Sequence, residues 1–377
     1  MNSESKPETQ IIETQNFPKT KNLKRLKFFG VLLTVLGLGL FVYFVYSVGP
    51  DLILEGIAHI GFGGFAFILL LYFLRIACRA SAWRLAVYEP HKLNFSDTLP
   101  AVIIGEALSS LIPLGVLISG TSKAVAVRNR IPMVVGLSSV ATENLFYSLA
   151  TGLFIVFGAF AFLRSFELEE GWIITIDVLI GVIFALIIFA FLAVVRQWHL
   201  LSSLSEWFYN RHFGRRFLEN GRFHVRLFEN LIFGFYRQYP RRFLPIFSFQ
   251  VLFHTLGILE VLFILSRISG MIPSFFNAFL LESMSRVITI VFKLVPFLVG
   301  IDEAGAQFIT ETLALGAGVG VTLAIIRKGR ILFWTAIGMI LIVKRELSFR
   351  EITKPLRGTR DEGRGKREEG RENNLRV

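Results

Sequence analysis

Long apolar runs separated by short charged clusters set the pattern of this chain. Residues 1–27 are polar and close on Lys19, Lys21, Lys24, Arg25 and Lys27. Phe28–Val48 is then apolar over about the 20 residues that carry a helix across a ~30 Å hydrocarbon core. Pro50 and Asp51 follow with no small-residue cleavage site before them, which predicts an uncleaved first span. Basic residues before it, and Asp51 and Glu55 after it, place the N-terminus in the cytoplasm.

Gly61–Cys78 predicts a second span, returning to a basic cytoplasmic face at Arg75, Arg79 and Arg84. The apolar stretch Thr98–Ser119 is different. It contains Gly105, Pro113 and Gly115, is followed by Gly120, and has basic residues on both sides (His91 and Lys92; Lys123, Arg128 and Arg130). Cytoplasmic flanks with helix breakers between them predict a re-entrant or broken helix, which a bilayer tolerates only where protein or a wet cavity surrounds it. Pro132–Leu163 and Trp172–Val195 predict two spans around an acidic outer loop of Glu167, Glu169 and Glu170. Arg196–Arg242 is basic and aromatic, and reads either as an interfacial helix or as an ordinary cytoplasmic loop. Phe243–Leu265 predicts another span, and Pro273–Lys293 follows with charges inside it. Leu294–Ile326 is interrupted by Pro296, Gly300 and Gly305, and a last short apolar run occupies Ile331–Val343. The tail, 346–377, is dense in alternating charge and is expected to be disordered.

The expected fold class is therefore all-α. It is a polytopic membrane helix bundle of about 7–9 hydrophobic segments, with two broken or re-entrant helices in two related halves filling residues 28–345. Composition agrees: 53% of residues are hydrophobic and 18% charged, with 39 Phe, which no soluble core could bury. The net charge of +12 would suggest nucleic acid in a soluble chain. Here the basic residues lie between and beyond apolar runs, where they orient the chain and meet anionic headgroups, so no nucleic-acid partner is expected. Cys78, the single cysteine, excludes an intrachain disulfide and a thiolate cluster.

Two interrupted segments resemble each other: LIPLGVLISGTSK from Leu111 to Lys123, and LVPFLVGIDEAG from Leu294 to Gly305. Corresponding broken segments in two halves point to a transporter's central site, because half-helix N-termini can hold an anion such as a lipid phosphate. Pro and Gly also simply kink membrane helices. Intramembrane charge is the second signal. Glu282, Arg286 and Lys293 lie on one helical stripe, which should face protein or water. This stripe reads either as a structural ion pair or as a polar track in which Arg286 and Lys293 meet phosphate. Glu143 with Asn144, Glu106 and Glu303 are the matching candidates elsewhere. His254 and Glu260 lie about 120° apart on their helix and do not read as a pair. No histidine spacing suits a metal, no cofactor motif is present, and Walker, G-x-S-x-G and H-E-x-x-H signatures are missing.

The same residues carry a resemblance. The run CRASAWRLAV, with Arg79 and Trp83, looks like the arginine–tryptophan segment of the flippase-like family named after the lysylphosphatidylglycerol synthase transmembrane region. Pro113, Gly120 and Lys123 resemble that family's proline–glycine–basic stretch, and Glu143 stands where a Glu-Arg pair is usual, with Asn144 in place of the Arg. Gly300, Glu303 and Gly305 are similar to its glycine-rich element ending in Glu, and Arg330 matches a basic residue before its final span. The resemblance covers roughly residues 60–345. It implies two related halves with re-entrant helices and the handling of polar lipids at the cytoplasmic membrane, with Arg79, Trp83 and Arg330 as structural residues of the cytoplasmic face.

Together these readings predict a lipid flippase-like protein rather than an enzyme. An anionic phospholipid or a polyprenyl-linked lipid is the expected partner. Glu106, Pro113, Gly120, Lys123, Glu143, Asn144, Glu282, Arg286, Lys293, Pro296, Gly300, Glu303 and Gly305 would line its headgroup cavity. Two alternatives stand beside it: a polyprenyl-phosphate-dependent transferase, and a scaffold whose segment 196–242 docks an envelope-synthesis enzyme.

Overall fold

The computed structural model describes residues 49–111, 115–164, 233–269, 272–292, 295, 298–316 and 318–345, with scattered positions in 42–46 and 174–230. Regular structure among the described residues is all helical, with no strand. The expected spans Phe28–Val48 and Trp172–Val195, the basic stretch Arg196–Arg242 and the charged tail lie largely or wholly outside them.

Eight α-helices form the bundle of described residues: α1 (Pro50–Leu85), α2 (Phe95–Leu111), α3 (Gly115–Ala126), α4 (Met133–Leu163), α5 (Phe243–Ile268), α6 (Phe275–Val291), α7 (Ile301–Thr312) and α8 (Val319–Lys344). A 3-10 turn, Pro240–Arg242, leads into α5. Local chemistry sets several of these ends. Pro50 starts α1, where its missing N–H costs nothing, and Gly61 bends that helix with a φ of 59° that an L side chain would resist. The expected second span begins at this bend. Ser274 caps α6 by accepting the Asn277 backbone N–H at 3.0 Å.

The helices repeat. In the first half a 17-residue and a 12-residue helix (α2, α3) follow a long one and precede another. The second half gives 17 and 12 residues again (α6, α7) between α5 and α8. Such helices rise about 25 Å and about 18 Å, short of a ~30 Å hydrocarbon core. Each short pair folds back on itself. A Cβ on Gly105 of α2 would meet Ser119 and Lys123 of α3, and one on Gly305 of α7 would meet Ile288 of α6.

Packing obeys the same repeat. Exchanging α1–α4 with α5–α8 carries the α1–α2, α2–α3 and α3–α4 interfaces onto α5–α6, α6–α7 and α7–α8. It also carries α2–α8 onto α6–α4, α4–α5 onto α8–α1, and α1–α4 onto α5–α8. The most extensive interface, α1 with α5, maps onto itself. Two related halves are thus wrapped around a pseudo-two-fold relation at α1 and α5.

Polarity is reversed relative to a soluble domain. Phe62, Leu244, Phe308 and Ile340 are exposed, while Arg75, Lys123, Glu143, Glu260 and Glu282 are buried. An apolar exterior of this kind suits a lipid solvent. Three described helices, counted as Ile53–Leu85, Met133–Leu163 and Pro240–Ile268, are long and apolar enough to cross a membrane.

One expectation is corrected. Ile331–Val343 is not a separate run, because α8 continues unbroken from Val319 to Lys344 through Arg327, Lys328 and Arg330. These three cations do not end the apolar run because carboxylates on α5, α6 and α7 meet them inside the bundle.

The two long–short junctions differ in tightness, which yields a first prediction. A Cβ on Gly320 would lie 2.4 Å from backbone atoms of Ala306 and Gln307, so α7 and α8 must separate to admit it. The equivalent approach in the first half leaves 3.3 Å between a Cβ on Gly136 and that of Ala124. Gly320→Ala is expected to destabilise by about 1–3 kcal/mol. Gly136→Ala should stay within about 1 kcal/mol of wild type, since helical alanine offsets the slight crowding. Thermal unfolding in detergent reads both, and equal effects would refute the asymmetry.

Candidate functional site

Ionisable side chains on these helices form two ionic networks. The first belongs to the first half. Arg79 on α1 reaches Glu143 on α4 through Nε at 3.1 Å and Nη2 at 3.2 Å, and Glu106 on α2 through Nη1 at 2.5 Å. Nη2 also donates to Asn144 Oδ1 at 3.2 Å. Lys123 on α3 lies 3.5 Å from Glu143, and Gln250 Nε2 on α5 donates to the same carboxylate at 3.2 Å. Gly105 makes room for the lysine, because a Cβ there would lie 3.0 Å from the Lys123 side chain. Trp83, fully buried one turn beyond Arg79, donates its indole N–H to Ser139 Oγ at 2.9 Å.

One turn earlier on α1, Arg75 enters the second network. It donates to Glu260 on α5 at 3.2 Å and to Glu282 on α6 at 3.3 Å. Glu282 also pairs with Arg286 (Nε at 3.1 Å) and with Arg327 of α8. Arg330 pairs with Glu260, and Arg327 Nη1 donates to Ser285 Oγ at 3.3 Å. Gly257 on α5 lets the ions meet: a Cβ there would lie 2.6 Å from Glu282 and 3.1 Å from the Arg75 guanidinium carbon. Aromatic faces complete the surroundings, with Arg75 over Phe253 at 4.4 Å and Arg330 over Tyr72 at 4.2 Å.

Charge differs between the two networks. Arg79 and Lys123 balance Glu106 and Glu143. In the second, four arginines (75, 286, 327, 330) face two carboxylates (260, 282), a surplus of two positive charges among the described residues. Both networks keep one partly exposed member. Glu106 has 28% of its side chain exposed and Arg286 has 18%, whereas Glu143, Glu260 and Glu282 have none. These two are the twelfth residues of α2 and α6, counted from Phe95 and Phe275, so the repeat places opposite charges at equivalent positions.

The second broken segment lies apart. Gly300, at φ 78°, precedes α7 and donates its N–H to Glu303 Oε2 at 2.7 Å. The carboxylate of Glu303 thereby takes the anion position that the half-helix N-terminus offers. Lys328 sits 2.6 Å from the other Glu303 oxygen, as an ion pair off hydrogen-bond geometry, and 3.9 Å from Asp302.

Of the residues singled out in the sequence, the structure brings Glu106, Lys123, Glu143 and Asn144 into one network and Glu282 and Arg286 into the other. Gly300 and Glu303 shape the α7 end, and Gly305 packs on Ile288. Gly120 has only ordinary contact with Val140. Pro113, Lys293 and Pro296 lie outside the described residues. Arg79 and Arg330, read as structural residues of the cytoplasmic face, are buried members of the networks, and Trp83 is fully buried. Sequence reasoning missed Arg75, Gln250, Glu260 and Arg327. Arg75 and Arg79 carried the usable signal, standing one turn apart with apolar residues on both sides.

The networks hold nothing that resembles a catalytic triad, and no group of His, Cys, Asp and Glu suited to a metal occurs among the described residues. Residues 28–338 match the family described as the lysylphosphatidylglycerol synthase TM region. The chain belongs to that family. No curated protein and no solved structure matches it.

Proposed function

From membership of this membrane family we propose that the protein moves or handles polar lipids across the cytoplasmic membrane, with its N-terminus on the cytoplasmic side. The observation that carries the proposal is the ladder of buried charge that the two networks form. Glu106 pairs with Arg79 in the first, and one turn away Arg75 pairs with Glu282, which also holds Arg286, so each network has a partly exposed group. Buried charge this extensive is costly in a membrane and is retained where a polar group must pass. Arg286 offers a guanidinium to a lipid phosphate, Glu106 offers a carboxylate to a cationic headgroup, and the acyl chains stay in the bilayer. The ion pairs close the ladder when no headgroup is present, so passage requires a headgroup to exchange for one of them.

Headgroup accessibility of fluorescent phospholipids in proteoliposomes tests this reading. The wild-type chain is expected to speed equilibration between leaflets. Arg286→Ala should reduce the rate at least tenfold, a change of about 1.4 kcal/mol in barrier, while inserting normally. Acceleration that is the same in both proteins would refute the role of Arg286, and no acceleration with any phospholipid would refute lipid movement.

A further inference from the structure

Resting on that reading, we infer that the second network takes a phosphate carrying two negative charges, as in a lipid phosphomonoester or diphosphate, in preference to the singly charged phosphodiester of common phospholipids. Two independent observations meet here. The first is the charge count: four guanidiniums against two carboxylates leave two positive charges unmatched. Arginine does not deprotonate, so the surplus is not relieved by loss of a proton. The Asp302 and Glu303 carboxylates pair with Lys328 and not with these arginines, and the one negative charge they leave over offsets at most one of the two from a distance.

The second observation is a shortage of acceptors. The Nε–H groups of Arg75, Arg327 and Arg330 are buried and have no hydrogen-bond partner. Their side chains are 1%, 7% and 6% exposed, so bulk water does not serve them. Buried donors of this kind are normally satisfied. A terminal phosphate supplies what is missing, having three acceptor oxygens and close to two negative charges at neutral pH. Arginine forks also match phosphate geometry better than lysine does. A phosphodiester leaves one positive charge unmatched, and a zwitterionic headgroup brings a cation into a site already rich in them. Arg286, partly exposed and on the same carboxylate as Arg75 and Arg327, is the point of entry.

The test uses the full chain in detergent and reads the shift of its unfolding midpoint. Three probes are titrated: phosphatidic acid, phosphatidylglycerol of the same acyl chains, and inorganic phosphate. Phosphatidic acid is expected to half-saturate at about tenfold lower concentration than phosphatidylglycerol, with inorganic phosphate far weaker than either. Ser285→Asp places a carboxylate where Arg327 already donates and reduces the surplus from two to one. That variant should unfold at a higher temperature without lipid, and its preference should shrink to within about threefold. Arg330→Gln, which lowers the surplus by removing a cation, should shrink the preference likewise. Equal half-saturation by the two lipids in the wild type, or an undiminished preference in both variants, overturns the inference. Stabilisation by inorganic phosphate with none by either lipid overturns the lipid assignment. If both lipids bind equally and Arg286-dependent movement persists, only the charge preference fails. If neither lipid binds or moves, the proposed function fails with it.

Discussion

Replacing Glu282 by glutamine is expected to destabilise the folded protein by about 3–5 kcal/mol, the usual cost of removing one partner of a buried ion pair. The side chain keeps its shape, so packing is not the cause. Glu282 accepts from Arg75, Arg286 and Arg327 together, and its loss leaves Glu260 as the single carboxylate facing four guanidiniums. Three of those arginines, Arg75, Arg327 and Arg330, are buried, so they have no short path to water. A lower unfolding midpoint and a reduced monodisperse fraction after extraction would be the signature. Adding Arg327→Gln returns the surplus to two and should recover part of the loss. A Glu282→Gln protein within about 1 kcal/mol of wild type would mean that water, not arginine, satisfies this carboxylate, and the ionic core would have to be redrawn as a hydrated one.

Replacing Arg79 by glutamine is the second large effect, again about 3–5 kcal/mol. Arg79 uses three nitrogens on three partners: Glu143, Glu106 and Asn144. Without it, Lys123 alone faces two carboxylates, and the first network changes from neutral to one negative charge. The double change Arg79→Gln with Glu106→Gln restores neutrality and is expected to be more stable than the single. Arg79→Lys keeps the charge but offers one compact ammonium in place of a planar fork, so it should fall between wild type and Arg79→Gln. If the lysine variant equals wild type, charge alone matters here and the bidentate geometry does not. The same three proteins should rank in the same order in leaflet equilibration, because Arg79 links buried Glu143 to the partly exposed Glu106.

The two networks also explain why the repeated helix pattern matters. Equivalent positions on α2 and α6 carry Glu106 and Arg286, so the halves share architecture while differing in charge. A symmetric backbone thereby frames an asymmetric site, neutral on one side and cationic on the other.

Much of this was legible along the chain. Apolar runs of membrane length at Pro132–Leu163 and Phe243–Leu265 became α4 and α5 within a few residues, because a bilayer demands both the length and the internal hydrogen bonding of a helix. The Pro/Gly interruptions marked the places where helices of 17 and 12 residues meet. The i, i+4 spacing of Glu282 and Arg286 announced their pairing. Glu106 and Glu143 were recognisable as charges inside apolar runs, whereas Lys123 read as a flanking charge at the end of one and proved buried.

What the sequence alone determined, then, is the membrane helical class, the two broken segments and some of the buried charges, Glu143, Glu282 and Glu303 among them. These follow from local hydrophobicity and helical period, which one stretch of chain contains in full. Which charge meets which was decided only by the tertiary structure. Arg75 and Arg330, far apart in the chain, share Glu260, and α8 runs straight through Arg327, Lys328 and Arg330 where a reading of flanking charge ends a span. A basic cluster between apolar runs looks the same in sequence whether it sits in headgroups or in the bundle. The carboxylates that distinguish the two cases come from other helices, brought close by packing.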